Sequence, residues 1–309
     1  MTLQVDHLTK TFGDRVAVND VSLHIEAGET YGLLGPTGAG KTTTISLICG
    51  LLDADEGSVF VAGEPVTTRS IDARRQIGYV PQEIAIYPDL TARENLRFFG
   101  KLQGLRRAEL DRRIDEVLEV LGLTDRSDER TERFSGGMQR RLNIGLGLLH
   151  EPGLLVLDEP TVGVDPQSRN AILDSVEALS GQGIALLYTT HYMEEAERLC
   201  NRVGIMDEGH LIAAGTRRDL VAQIDGHDRV RFEFSQSPDV DTITALDGVR
   251  SVSIDGPVGD VALDDAAHHL PRLLDTVAAA GGLIRSVEVI EPDLEAVFLE
   301  LTGKALRDR

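Results

Sequence analysis

The sequence holds few of the features that would tie a chain to an oxidising compartment, a membrane interior or a nucleic-acid backbone. Only two cysteines occur among 309 residues, Cys49 and Cys200. Their separation fits neither a metal-ligand spacing nor a redox pair, so both read as buried, inert thiols within helices, in a reducing compartment. No stretch comes near the roughly 18 consecutive apolar residues that a membrane-crossing helix needs. The N-terminus, Met1-Thr2-Leu3-Gln4-Val5-Asp6, lacks a basic segment followed by an apolar run, so no signal peptide is expected. Basic residues are outnumbered, 31 Lys and Arg against 51 Asp and Glu, for a formal net charge of −20. A field of that sign opposes nonspecific nucleic-acid binding and anchoring on anionic lipid. No internal repeat and no low-complexity tract is found. The expectation is a soluble, cytoplasmic protein with ample core, held at a membrane only if something else holds it there.

What is present is organised around Gly35-Pro36-Thr37-Gly38-Ala39-Gly40-Lys41-Thr42-Thr43. It reads G-x-x-x-x-G-K-T, the phosphate-cradling P-loop pattern. Thr30-Tyr31-Gly32-Leu33-Leu34 before it predicts a short strand, and Ile45, Leu47, Ile48 and Leu51 after it predict a helix from Thr42 to Leu52. A strand–glycine loop–helix unit aims backbone N–H groups and the positive end of the helix dipole at an anion. Lys41 offers a point charge to the β- and γ-phosphates, and Thr42 a hydroxyl to Mg²⁺.

Either side of this loop the period is that of strands: Leu3–Val5, Val16–Val18, Val21–Ile25, Gly57–Val61 and Ile77–Val80, with Phe12 in a turn. From Pro88 to His150 the period becomes helical. Thr91 and Glu94 form a capping box, and Leu110, Ile114, Val117, Leu118 and Leu121 share one face. Leu154–Asp158 and Ile184–Tyr188 are continuous apolar runs, as in strands buried on both sides of a parallel sheet, with a helix over Gln167–Leu179 between them. The composition shifts around Ala222–Asp228. Beyond it the order strand, helix, strand, strand, helix, strand spells βαββαβ, and a helix over Leu294–Leu301 ends the chain. The fold expected is α/β, of the P-loop NTPase kind. It has a parallel core sheet, an antiparallel β subdomain, a helical subdomain at about 88–150 and a small ferredoxin-like α+β domain. The boundaries expected are 1–224 and 225–309.

Four further stretches narrow the chemistry. Leu154–Leu157 ends in Asp158-Glu159, two carboxylates at the carboxyl end of a buried strand, aimed at the same crevice as the P-loop. One can hold Mg²⁺, usually through water, and the next can take a proton from an attacking water; alone they could also form a plain surface turn. Ser135-Gly136-Gly137-Met138-Gln139 precedes a helix: Ser135 suits its N-cap, and the glycines let a phosphate approach. Gln82 follows a strand and opens a loop. His191 follows the strand ending at Thr190, where an imidazole either touches a γ-phosphate or serves structure.

Together these residues resemble the nucleotide-binding subunit of an ATP-binding cassette (ABC) transporter, over roughly residues 1–224. Gly35–Thr43 is similar to Walker A, Gln82 to the Q-loop and Ser135–Gln139 to the family signature. Leu154–Asp158 is similar to Walker B, Glu159 to the catalytic glutamate, Val164-Asp165 to the D-loop and His191 to the H-loop. Phe12 stands where the family places the aromatic that stacks on adenine. The departures are Thr37 for Asn, Phe134 for Leu and Val164 for Leu, and none removes a catalytic group.

The resemblance implies ATP and Mg²⁺, the metal held through Thr42, Gln82 and Asp158. It implies two cassettes packed head to tail, a homodimer or heterodimer, so that each ATP lies between Lys41 of one chain and Ser135 and Gly137 of the other. Glu159 would polarise water, with His191 and Gln82 holding the reactants in line and Asp165 communicating across the pair. It further implies a separate integral membrane permease, with this chain peripheral on the inner face of the membrane and no nucleic-acid partner. Ile84, Ile86, Tyr87 and Leu90 would either meet that permease or pack under the helical subdomain. The tail Glu291–Phe298 with Leu301-Thr302-Gly303 resembles exporter cassettes of the drug- and antibiotic-resistance type; read from residues alone, it is a capped helix packing Leu294, Val297, Phe298 and Leu301. A soluble cassette ATPase acting on ribosomes or DNA is the rival reading, disfavoured by the single cassette and the acidic balance. The C-terminal domain reads as a dimer contact or a small-molecule sensor.

Overall fold

The computed structural model describes residues 1–181, 183–224, 228–290 and 293–303. The chain divides into two compact units, Met1–Thr216 and a second beginning at Arg217. The expected boundary at 224/225 borders on residues outside the described set, as does the Glu291-Pro292 pair of the tail motif.

The first unit begins with β1 (Leu3–Phe12), β2 (Arg15–Ile25), β3 (Thr30–Leu34), α1 (Lys41–Ile48), β4 (Glu56–Val61), β5 (Glu64–Pro65), α2 (Ile71–Arg75) and β6 (Ile77–Val80). Three helices follow, α3 (Ala92–Leu102), α4 (Arg107–Val120) and α5 (Gly136–Leu148). The unit closes with β7 (Leu154–Asp158), α6 (Pro166–Ser180), β8 (Ala185–Thr190), α7 (Met193–Leu199), β9 (Arg202–Asp207) and β10 (His210–Gly215). One sheet is antiparallel, in the order β2-β1-β4-β5; the other runs β10-β9-β3-β8-β7-β6. In the second, every pair is parallel except β10 with β9, so the core sheet is mixed rather than wholly parallel.

The apolar runs behave as period 2 requires. On β7, Leu154 and Val156 face the core shared with the antiparallel sheet and α1, while Leu155 and Leu157 face the core under α3 to α6. Each such fully buried aliphatic side chain stabilises by about 1.5–3 kcal/mol. The helical segment follows its pattern too. Thr91 Oγ1 accepts from Glu94 N at 3.1 Å and Glu94 Oε2 from Thr91 N at 2.9 Å, closing the capping box. Leu110, Ile114, Val117 and Leu118 form the buried face of α4.

Several sequence expectations need correcting. Val16–Val18 and Val21–Ile25 are one strand, not two; the apparent break falls at Asp20, which takes a left-handed φ of 52° inside β2. The helix after the P-loop ends at Ile48 rather than Leu52, because Gly50 turns left-handed at φ 63°. Both cysteines cap the ends of helices instead of lying within them, and burial pushes both thiols up.

The second unit holds α8 (Arg217–Val221), β11 (Asp228–Gln236), α9 (Val240–Thr244), β12 (Val249–Asp255), β13 (Val258–Leu263), α10 (Ala266–Ala279), β14 (Leu283–Ile290) and α11 (Leu294–Thr302). Its sheet order is β12-β13-β11-β14, with every neighbour antiparallel. Val230, Phe232 and Phe234 on β11 form its core with Ile243, Leu273 and Val277. On α11, Leu294, Val297 and Phe298 are buried, but Leu301 is exposed, contrary to the amphipathic reading.

Candidate functional site

The site is assembled by strand order. β8 lies between β3 and β7, with Leu34 opposite Thr190 and Asp158 opposite Thr189. The parallel pairing therefore brings the P-loop, His191 and the Asp158-Glu159 pair to the same edge of the sheet, the carboxyl ends of three adjacent strands. The P-loop turns into α1 through Gly40, whose φ of 105° suits only glycine and whose missing Cβ leaves room for the Ala17 carbonyl. Ala39 is buried and its carbonyl accepts from Gly209 N at 2.9 Å, so this residue faces the fold, while Thr42 is exposed.

Lys41 is only 4% exposed. Its Nζ donates to the Gly35 carbonyl at 2.7 Å and the Pro36 carbonyl at 3.3 Å, and stands 3.1 Å from Glu159 Oε1. His191 Nδ1 stands 3.4 Å from Glu159 Oε2. Glu159 thus sits between an ammonium and an imidazole. Its own backbone is unusual for a residue with a side chain, at φ 45°, and is held there by its N–H donating to Thr189 Oγ1 at 3.0 Å. The same hydroxyl donates to Asp158 Oδ1 at 2.9 Å. Burial raises the Asp158 carboxyl above its ordinary range, and Glu159 adds to this; the hydroxyls of Thr189 and Thr42 and the Lys41 charge pull the other way.

A cleft of about 460 Å³ opens over this edge, walled by Phe12, Arg15, Thr37, Gly38, Gly40, Lys41, Thr42, Thr43, Gln82 and Glu159. Phe12 ends β1 with its ring 48% exposed. Arg15 was not singled out in the sequence, yet its Nη2 donates to the Gly38 carbonyl at 3.3 Å. The backbone beyond Gln82 is pinned by α5: Arg140 donates to the Pro81 and Gln82 carbonyls, and Asn143 Oδ1 accepts from Ala85 N at 3.0 Å. Further along the same loop, Ile86 packs on the core, and the Tyr87 ring, though partly exposed, stands edge-on to Phe98 and stacks on Phe99 of α3, as packing against the helical subdomain expects, while Ile84 is exposed.

Ser135, Gly136, Gly137 and Asp165 do not line this cleft. Ser135 caps α5, its Oγ accepting from Met138 N at 3.2 Å. Asp165 caps α6, its Oδ1 accepting from Ser168 N at 2.9 Å. A Cβ on Gly136 would meet nothing, which leaves that backbone open to approach. A Cβ on Gly137 would overlap the Ser168 side chain of α6 in the same chain. Gly137 is therefore required by packing whatever else it does. Gly137→Ala is expected to cost about 1–3 kcal/mol. A lowered thermal midpoint in ligand-free protein, partly recovered by adding Ser168→Gly, checks this, and an unchanged midpoint would remove the steric explanation.

Comparison with known proteins agrees with this geometry. The model of the ABC transporter family matches residues 18–162. The linearmycin resistance ATP-binding protein LnrL of Bacillus subtilis (strain 168) is 46% identical, over 99% of this chain and 100% of its own length. The Nod factor export ATP-binding protein I of Cupriavidus metallidurans is 38% identical over 99% of each chain. A solved ATP-binding subunit of an ABC transporter superposes with a TM-score of 0.65 at 33% identity, covering 72% of this chain and 93% of its own. The dimeric structure of the ATP-binding cassette MJ0796 in a post-hydrolysis state, bound to ADP and Pi, gives 0.62 at 26% identity, covering 69% and 98%. With a P-loop facing an Asp-Glu strand across β8, and a relative nearly half identical along its whole length, this chain belongs to the ABC transporter family and carries that family's ATPase domain.

Proposed function

We propose that the chain is the ATP-hydrolysing subunit of an exporter, working as a pair of cassettes under a separate membrane-spanning permease. The observation that carries this is the split of the machinery. Lys41 and Glu159 line one cleft, with the His191 imidazole beside Glu159, while the signature residues Ser135, Gly136 and Gly137 do not line it. A second cassette, packed head to tail, would bring its Ser135 hydroxyl and the N–H groups of Gly136 and Gly137 to the γ-phosphate, with the N-terminal dipole of its α5. The dimeric structure of a cassette bound to ADP and Pi supports the pairing of two cassettes.

Within the cleft, Lys41 holds the β- and γ-phosphates and Phe12 offers a face to adenine. Glu159 takes the proton of the attacking water, while His191 and Gln82 orient the water and the γ-phosphate. Asp165 lies at the meeting of the two chains. The residues present suit Mg²⁺. Thr42 and Gln82 line the same cleft, and the Thr42 hydroxyl is among the groups that favour the charged form of the Asp158 carboxyl. Mg²⁺ takes oxygen donors and keeps much of its water, so Thr42, Gln82 and Asp158 would hold it, and when bound it would neutralise phosphate charge.

The names of the relatives, linearmycin resistance and Nod factor export, support a cargo of the drug, antibiotic or lipid-like class. Among the described residues no helix is long and apolar enough to cross a membrane. The permease is proposed to be a different chain, with this one peripheral on the inner face of the membrane. The strand order, with α9 and α10 as the two connecting helices, supports a ferredoxin-like accessory domain, for which a boundary near 224 is our reading.

Ile84 and Tyr87, 39% and 48% exposed just after Gln82, are the residues to test against the permease. The doubly substituted Ile84→Asp, Tyr87→Asp chain is expected to lose co-purification with the permease from detergent-solubilised membranes while binding nucleotide as the wild type does. Undiminished co-purification would overturn this docking site.

A further inference from the structure

The ATPase reading uses three residues at the strand ends but leaves one buried acid beneath them without a role. Glu195, on α7, is 2% exposed, so it touches no ligand. Its Oε2 accepts three hydroxyl hydrogen bonds: from Thr161 Oγ1 at 3.0 Å, Tyr188 Oη at 2.9 Å and Thr190 Oγ1 at 2.8 Å. Its Oε1 stands 3.5 Å from Arg169 Nε. The Arg169 guanidinium lies over the Tyr192 ring, 4.0 Å from its centroid, and that ring lies 4.1 Å from the His191 imidazole.

Each partner comes from a segment that carries part of the site. Thr161 follows Glu159 by two residues. Thr190 precedes His191, and its hydroxyl also accepts from Tyr192 N at 3.0 Å, which fixes the turn on which His191 sits. Arg169 lies on α6, whose N-cap is Asp165. An apolar side chain could fill the same volume, but it would give these segments no fixed bearing and would leave three hydroxyls and a guanidinium without their carboxylate.

We infer that Glu195 is a positioning residue: it sets Glu159 and His191 against each other from below and ties the Asp165 segment to them. The inference rests on the roles proposed for Glu159 and His191. Misplacing a general base by a fraction of an ångström costs rate without costing nucleotide affinity, which Lys41 and the P-loop supply. Buried charge also explains the choice of neighbours. Burial first, and then the Glu195 carboxylate, push the Tyr188 hydroxyl far above its ordinary range, so it stays a donor at every working pH.

The test uses the full chain under single-turnover and steady-state conditions, with rates expressed per nucleotide-binding protomer. Glu195→Gln keeps the shape and an accepting oxygen but turns an amide toward Arg169. Thr190→Val keeps the shape and removes both the donor to Glu195 and the acceptor of the Tyr192 N–H, and Thr190→Ser keeps both. Glu195→Gln and Thr190→Val are expected to lower kcat by about tenfold to a hundredfold. ATP affinity should stay within about twofold of wild type, the signature of a loss confined to the transition state. Thr190→Ser should restore turnover. Wild-type kcat per binding protomer in both Glu195→Gln and Thr190→Val overturns the positioning role, as does a loss that tracks only the fraction of protein still able to bind nucleotide. Glu159→Gln, run alongside, separates the two readings: if that variant also turns over normally, the assignment of Glu159 has failed, not the inference about Glu195.

Discussion

A Glu159→Gln chain is expected to bind ATP at least as well as the wild type and to hydrolyse it about 10²- to 10⁴-fold more slowly. The amide has the shape of the carboxylate but cannot take a proton. The left-handed backbone at Glu159 is held by the main-chain N–H to Thr189, which the substitution leaves in place. The removed charge faced Lys41 at 3.1 Å and helped to raise the neighbouring Asp158 carboxyl. Losing it frees the ammonium for phosphate and relieves a like-charge repulsion beside an anionic ligand. If, as proposed, nucleotide completes the pairing of two cassettes and hydrolysis undoes it, the variant should accumulate as a two-chain species in ATP, visible by size-exclusion chromatography with light scattering. Turnover at the wild-type rate in that variant would contradict the assignment of Glu159. A slow variant that stayed monomeric in ATP would contradict the split site.

Lys41→Ala should act on the other side of the cleft, through affinity. The side chain is held by the carbonyls of Gly35 and Pro36, so its ammonium is aimed before any ligand arrives. Truncating one partner of a buried, hydrogen-bonded charge pair typically costs about 2–5 kcal/mol, or roughly 30-fold and upward in Kd. Part of that loss is the Glu159 carboxylate left facing the phosphates without its counter-charge. Arginine should not restore binding, because its planar fork cannot occupy the space of a compact ammonium between two loop carbonyls. Titration with a fluorescent ATP analogue, with a thermal midpoint to establish that the chain is folded, measures the effect. An unchanged Kd would remove Lys41 from the phosphate site.

Much of this was legible in the sequence because it is local. The P-loop lies within nine residues, β7 is an unbroken apolar run into Asp158 with Glu159 next in the chain, and the capping box at Thr91 and Glu94 spans one helical turn. What escaped depends on residues distant in the chain. Thr189 gives no sign in its own neighbourhood that it would bind both Asp158 and Glu159 across a strand pair. Glu195 reads as one more polar residue near a helix start, and only folding brings Thr161 to it from 34 positions away. Strands β9 and β10 leave little sign in the sequence, since Gly204 and the Glu208-Gly209 turn interrupt their alternation. Gly137 was read for what it lets approach, when Ser168 already requires it. The break read inside β2 was a single left-handed residue, Asp20, a local irregularity that the pairing with β1 absorbs as a register shift.

The placement of β8 between β3 and β7 has a consequence for how the reaction is gauged. Neighbouring strands stand about 4.8 Å apart, so the P-loop strand and the acid strand are separated by roughly 9.6 Å of sheet. Neither backbone can close that interval. It is bridged by Glu159, which follows β7, and by Lys41, the first residue of α1, whose ammonium reaches back to the Gly35 and Pro36 carbonyls just beyond β3 and meets the carboxylate there. The inserted strand works as a ruler, and reach as well as acidity decides which residue can stand at position 159. An aspartate there would be basic enough, yet it would stop one carbon–carbon bond short of its mark.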